Sequence, residues 1–116
     1  MPTINISTGG GGGGVTLLRA TYVVTESESI SGTLDTTRTA DQGTAINISG
    51  LTNAQFRDRV FVYRNGIVLF NDIDSIINIS ELQHDVARVT SDLKTLMFFG
   101  NLREGTIISL VVEDIV

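Results

Sequence analysis

The sequence predicts an all-β fold: an antiparallel β-sandwich or β-barrel, jelly-roll-like, of about seven to nine short strands. Three observations carry that expectation. The first is the stretch from Arg59 to Phe70, where two apolar, β-branched and aromatic runs flank a single Asn65-Gly66 pair. A type I′ turn needs positive φ at both central residues, and Asn-Gly tolerates this at the least steric cost. The second is the choice of apolar residues, dominated by Ile, Val, Leu and Phe, with plentiful Thr and a single proline, Pro2. Such a mix fits a pleated surface better than a helix. The third is spacing, because short apolar runs alternate with turn residues along the whole chain.

Taken in order, Thr3 to Ser7 alternates, with Ile4 and Ile6 on one side, and reads as a β-arm with nothing local to pair with. Gly9 to Gly14 follow as six consecutive glycines, expected to act as a flexible tether. Such a tether spans roughly 13–15 Å on average and about 20 Å at full stretch. Residues 1–14 are therefore assigned as arm and tether, and residues 15–116 as one β-domain. Val15 to Val24 reads as a long strand, Thr25 to Ser29 as a polar turn, and Ile30 to Leu34 as a short strand. Asp35 to Gly43 lacks apolar periodicity and reads as an exposed loop. Thr44 to Ser49 alternates through Ile46 and Ile48, so a further strand is expected there. Asn53 to Asp58 suits one helical turn capped by Thr52 or Asn53.

In the hairpin, Phe61 and Tyr63 face one side and Val60 and Val62 the other. Two apolar faces imply cover on both, one by a second sheet and the other by a neighbouring subunit. Ile76 to Ile79 reads as a short strand after a loop. Glu81 to Arg88 is ambiguous, its Leu82, Val86 and Val89 fitting a helix loosely while Val86 to Thr90 suits a strand better. Thr95 to Phe99 and Thr106 to Val112 are strands joined through Gly100 to Gly105, and the terminal Ile115-Val116 implies a packed end.

Composition narrows the function classes. At 116 residues the chain is one domain long. A net charge of −5, with eight scattered basic residues, disfavours a nucleic-acid partner held by phosphate contacts. Without cysteine there is neither a disulfide framework nor a thiolate metal site. The opening residues carry no signal-peptide pattern, and no apolar run approaches the roughly 18 residues that span a bilayer. No membrane partner is expected.

Candidate chemistry is sparse. Gly14 is followed by Val15-Thr16-Leu17-Leu18 rather than Gly-Lys-Ser/Thr, so the glycines do not read as a phosphate-binding loop. His84, the only histidine, stands beside Asp85 but has no nucleophile-elbow motif to serve, and reads as a surface residue. Asp72 and Asp74 have an Asp-x-Asp spacing without the rest of a calcium loop. Glu26, Glu28, Glu104, Glu113 and Asp114 read as a solvated acidic surface. Phe56, Phe98 and Phe99 read as core or interface rather than as a sugar platform, since Trp is absent. No catalytic, metal or cofactor site is expected.

Phe61-Val62-Tyr63-Arg64-Asn65-Gly66-Ile67-Val68-Leu69, Asp85-Val86, Leu96-Met97-Phe98 and Leu102 to Leu110 form a succession of strand, Asn-Gly, strand, acidic loop, strand pair and Gly turn. This succession, covering under half of the chain, resembles small β-domains of tailed-bacteriophage virion proteins. The resemblance departs from the fibre pattern in having Asp74-Ser75 where Asp-Tyr is usual, and in lacking repeats or a coiled-coil stalk. It implies a non-enzymatic structural protein of the virion, made in the host cytoplasm and placed on the capsid surface. A decoration (cement) protein is the leading form, with a tail, fibre or receptor-binding module as the alternative. It further implies a homo-oligomer, a trimer by preference, bound to the major capsid protein or other virion proteins. The Ile4/Ile6 arm, hinged on Gly9 to Gly14, would then add a strand to a neighbour.

Replacing Asn65-Gly66 by Val-Val forces two β-branched residues to positive φ and should impair folding. Circular dichroism melting reads the outcome, and a soluble variant with unchanged melting would refute the hairpin.

Overall fold

A computed structural model describes residues 15–115. Ile4, Ile6, Gly9 and Gly14, and with them the proposed arm and tether, lie outside the described residues. The described chain is mostly β and folds into two antiparallel sheets. The strands are β1 (Val15–Val23), β2 (Thr33–Asp35), β3 (Gln42–Gly43), β4 (Val60–Arg64), β5 (Ile67–Val68), β6 (Val86–Arg88), β7 (Thr95–Phe98) and β8 (Ile107–Ile115). One sheet has the order β3-β1-β8-β4-β5 and the other β2-β7-β6.

The long β1–β8 pair is the spine of the larger sheet. It runs in unbroken antiparallel register from Val15↔Ile115 to Val23↔Ile107. Strand periodicity sends Ala20, Tyr22 and Ile108, Leu110, Val112 to the same face, where Val60 and Val62 of β4 join them. Leu34, Val86, Leu96 and Phe98 of the smaller sheet enter the same buried cluster, so both sheets share one core. On the opposite face of the larger sheet, Phe61 and Tyr63 are half-buried. The expected division of the hairpin between Val60/Val62 and Phe61/Tyr63 therefore holds. Cover on both faces does not follow from this chain alone.

Four local expectations need correction. Thr25 to Ser29 forms part of a helix, α1 (Glu26–Ser31), rather than a turn. Thr25 Oγ1 accepts from the Glu28 amide while Glu28 Oε1 accepts from the Thr25 amide, a reciprocal cap written in the sequence as Thr-x-x-Glu. The expected Ile30 to Leu34 strand accordingly begins only at Thr33, after Gly32 closes the helix at φ 71°. Thr44 to Ser49 alternates in burial, with Ile46 and Ile48 inward, but forms no strand. Ile76 to Ile79 contributes only a single parallel bridge, Ile76↔Val89, before a 3-10 turn at Ile79–Glu81.

Several other readings hold, but the expected exposed loop from Asp35 to Gly43 does not do so throughout, since Asp35 ends β2 and Thr36 is buried. The helical turn is α2 (Asn53–Arg59), capped by Thr52 Oγ1 on the Gln55 amide. The ambiguous segment resolves as β6, and Thr95–Phe98 and Ile107–Ile115 are the last two strands. Within the expected exposed loop, the two-residue β3 pairs with Ala20 and Thr21. That approach is close enough to need glycine: a Cβ on Gly43 would stand 2.5 Å from the Arg19 carbonyl oxygen.

One side chain ties the smaller sheet to the segments the strands leave uncovered. Arg88 of β6 is 1% exposed. Its Nη1 donates to the carbonyls of Ile48 and Leu51, both at 2.9 Å, and its Nη2 to Asn53 Oδ1 at 3.1 Å. The guanidinium also lies 5.0 Å from the centre of the Phe56 ring. No carboxylate pairs with it among the described residues, and burial pushes its pKa below the ordinary arginine value. The charge is instead dispersed over carbonyl dipoles and a ring face, arrangements that suit a planar, weakly hydrated cation.

A second arginine works at the other side of β1. Arg38 bonds Glu28 of α1 through Nε and the Val23 carbonyl through Nη2, and its guanidinium lies over the Tyr22 ring at 5.2 Å. The buried Tyr22 hydroxyl donates to the Thr36 carbonyl at 2.6 Å. These bonds hold the 36–41 loop against the sheet ahead of the short β3 pairing.

Replacing Arg88 by Met keeps much of the volume but removes the side-chain donor of the Leu51 carbonyl and leaves the Ile48 carbonyl only the Leu51 amide. The expected cost is about 2–4 kcal/mol in urea denaturation, with Arg88→Lys losing less.

Candidate interaction surface

The Asn65-Gly66 turn has the geometry its residues predict, with φ of 49° at Asn65 and 84° at Gly66. Asn65 also does something the turn rule does not anticipate. Its backbone amide donates to the Ile107 carbonyl at 2.8 Å, and its Oδ1 accepts from the Ile107 amide at 2.9 Å. The turn therefore extends the β4–β8 ladder by one residue, using a side-chain amide in place of a peptide group. Arg64 completes the anchorage by donating to the Phe99 and Asn101 carbonyls, which fastens the end of β7 to the hairpin.

On this anchored end the chain displays apolar side chains. Ile67 is 70% exposed, Val68 51%, Phe70 73% and Phe99 66%. Phe70 and Phe99 meet around Asp85. The Asp85 amide donates to the Phe70 carbonyl, its carboxylate accepts from the Phe70 amide, and its carbonyl accepts from the Phe99 amide. Together with Leu82, Gln83 and His84 these residues line an open surface depression. Their backbones are held in place while their rings face solvent. Full burial of such a side chain against a partner contributes about 1.5–3 kcal/mol, so Phe70 and Phe99 together offer a substantial association energy.

His84 is oriented by Asp72, not by its neighbour Asp85. His84 Nδ1 lies 2.6 Å from Asp72 Oδ1, and Asp72 Oδ2 accepts from the Gln83 amide. Asp72 is buried whereas His84 is half-exposed. Both Asp72 oxygens are thereby engaged in holding the 72–85 loop, and Asp74 stays on the exposed surface. Among the described residues no group of three His, Cys, Asp or Glu is arranged to hold a metal ion. The acidic set also divides: Glu26 and Glu104 are exposed, but Glu28 is held by Arg38 at 2.7 Å.

Of the phenylalanines assigned to core or interface, Phe56 and Phe98 are buried and Phe99 is not. The period of two along β7 explains the split, since Leu96 and Phe98 point inward and the next residue must point out. Phe70 and the pair Ile67-Val68 were legible only as strand residues, because exposure of a hairpin tip depends on what lies over it.

Searches against protein-family models, curated proteins and solved structures find no match to this chain.

Replacing Phe70 and Phe99 together by Ser should change unfolding free energy by no more than about 1 kcal/mol, because neither ring is packed. The same variant should lose most of the fluorescence of a bound hydrophobic dye; a large fall in stability would place the rings in the core.

Proposed function

We propose that this chain is a non-enzymatic structural protein of a tailed-phage virion, most simply a capsid decoration protein that works through contacts between subunits. The observation that carries the reading is the exposed Phe70–Phe99 pair on a backbone anchored through Asp85. An exposed apolar group on a well-bonded scaffold is suited to association, and repetition over many copies gives avidity without high single-site affinity. We read the two sheets around one core as a jelly-roll-like β-sandwich. In this reading the domain forms a homo-oligomer, a trimer by preference, over junctions of the major capsid protein. The Ile4/Ile6 arm, on the Gly9 to Gly14 tether, adds a strand to a neighbour. A tail or receptor-binding module is the second reading, favoured by the Phe70–Phe99 depression with its polar rim of Gln83, His84 and Asp85.

Negative-stain imaging of purified virions carrying labelled protein separates the readings. Label over the whole head is expected; label at one vertex supports the tail module, and no label refutes a virion role. Deleting residues 1–8 should leave circular dichroism and melting of the domain nearly unchanged while weakening oligomerisation or attachment, measured by sedimentation. A large loss of melting temperature would mean that the arm completes its own domain.

A further inference from the structure

The larger sheet has an unequal edge. β8 pairs with β1 over its full length, from Val15 to Val23. On the other side, β3 pairs only with Ala20 and Thr21. Among the described residues, the Thr16 to Leu18 part of that edge has no strand beside it. A groove runs along it instead, lined by Leu17 and Leu18 on one side and by Thr44, Ala45, Ile46 and Asn47 on the other. Leu18 belongs to the core-facing set of β1 through its two-residue spacing from Ala20 and Tyr22, yet it is 37% exposed. The core face is thus incompletely covered where the strand edge is open.

The same chain contains a segment of matching chemistry. Thr3-Ile4-Asn5-Ile6-Ser7 alternates with the period of a strand and carries two β-branched apolar residues on one face. It is joined to Val15, the first residue of the open edge, through Thr8 and six glycines. A hairpin back onto its own strand is usually made with two to five residues and turn chemistry of the Asn65-Gly66 kind. A spacer of six glycines has no side chains to fix such a turn, and its stretch of about 20 Å suits a crossing to another molecule.

We infer that the groove between Thr16–Leu18 and Thr44–Asn47 is the acceptor for residues Thr3–Ser7 of a neighbouring copy. The arm adds a strand to the edge of β1 and lays Ile4 and Ile6 over Leu18 and Ile46. The groove adjoins the point where each copy's own arm departs, so two or more copies packed around it can exchange arms reciprocally. Main-chain hydrogen bonds supply the affinity, and the alternating isoleucines select the face. This inference rests on the inter-subunit role proposed for the arm and names where that arm goes.

Because the chain lacks cysteine, disulfide trapping is clean. One full-length chain carries Ile4→Cys, on the arm face that meets Leu18, and a second, distinguishable by a mass tag, carries Thr16→Cys on that same face of β1. Mixed and mildly oxidised, they should form the unlike-chain disulfide at least about tenfold faster than a pair in which Glu104→Cys replaces Thr16→Cys. Glu104 is an exposed residue at the far end of β1, where the Gly105 amide bonds the Val24 carbonyl. A rate equal to the control overturns the acceptor assignment. A chain carrying both Ile4→Cys and Thr16→Cys that closes only within itself overturns exchange between copies. Sedimentation of the 1–8 deletion keeps the two levels apart. Loss of oligomer without trapping at Thr16 refutes the groove and leaves the arm's role standing, whereas an oligomer indifferent to the deletion refutes that role itself.

Discussion

A cation with no carboxylate partner among the described residues organises the smaller sheet and the segments draped over it. Arg88 reaches from β6 to the carbonyls of Ile48 and Leu51 and to Asn53 at the start of α2. These acceptors belong to a stretch that forms no strand and therefore has no ladder partners of its own. A buried peptide carbonyl without a donor costs about as much as a lost hydrogen bond, so the 44–52 segment needs an external source of N–H groups. The guanidinium provides several from one side chain and stacks on Phe56 while doing so. Ile46, Ile48 and Phe56 are then free to complete the core as if a further strand were present.

The parts of this fold that were readable from sequence are those governed by local chemistry. Asn65-Gly66 announces its turn, Thr52 or Asn53 the helix cap, and the apolar runs from Val15 to Val24 and from Thr106 to Val112 the two spinal strands. The strands expected at 44–49 and 76–79 fail for a common cause. Ile46 and Ile48 have a strand's alternation, but alternation reports only which side chains are buried; whether a ladder forms depends on a partner strand, and here an arginine takes that place. The Thr25 to Ser29 segment departs from its expected turn for a different reason, since its polar composition suits a turn while its Thr-x-x-Glu spacing is a capping box. The burial of Arg88 had no local signal at all. Among eight scattered basic residues, nothing in its neighbourhood except the flanking Val86, Ala87 and Val89 marks it as internal.

The candidate surface was only half legible for the same reason. Phe98 and Phe99 are adjacent in sequence and opposite in environment, as strand geometry requires. Exposure of Phe70, by contrast, follows from long-range bonds that pin its backbone to Asp85. The protein thus spends hydrogen bonds on fixing the main chain beneath rings that it leaves in solvent. Rigid backbone under exposed apolar groups lowers the ordering cost of association, because little freedom remains to be lost when a partner arrives.

The register of β1 against β8 also decides how the domain responds to force. Val15 stands opposite Ile115, while the Asn65 turn joins Ile107 at the other end of the same ladder. Tension applied between Val15 and Ile115 would open the pair like a zipper, breaking its bonds one after another. Tension between Val15 and the apolar hairpin end runs along the strands and loads the whole ladder in shear, where the bonds must yield together. A copy held by its hairpin end and tethered at Val15 is therefore pulled along its mechanically strong axis.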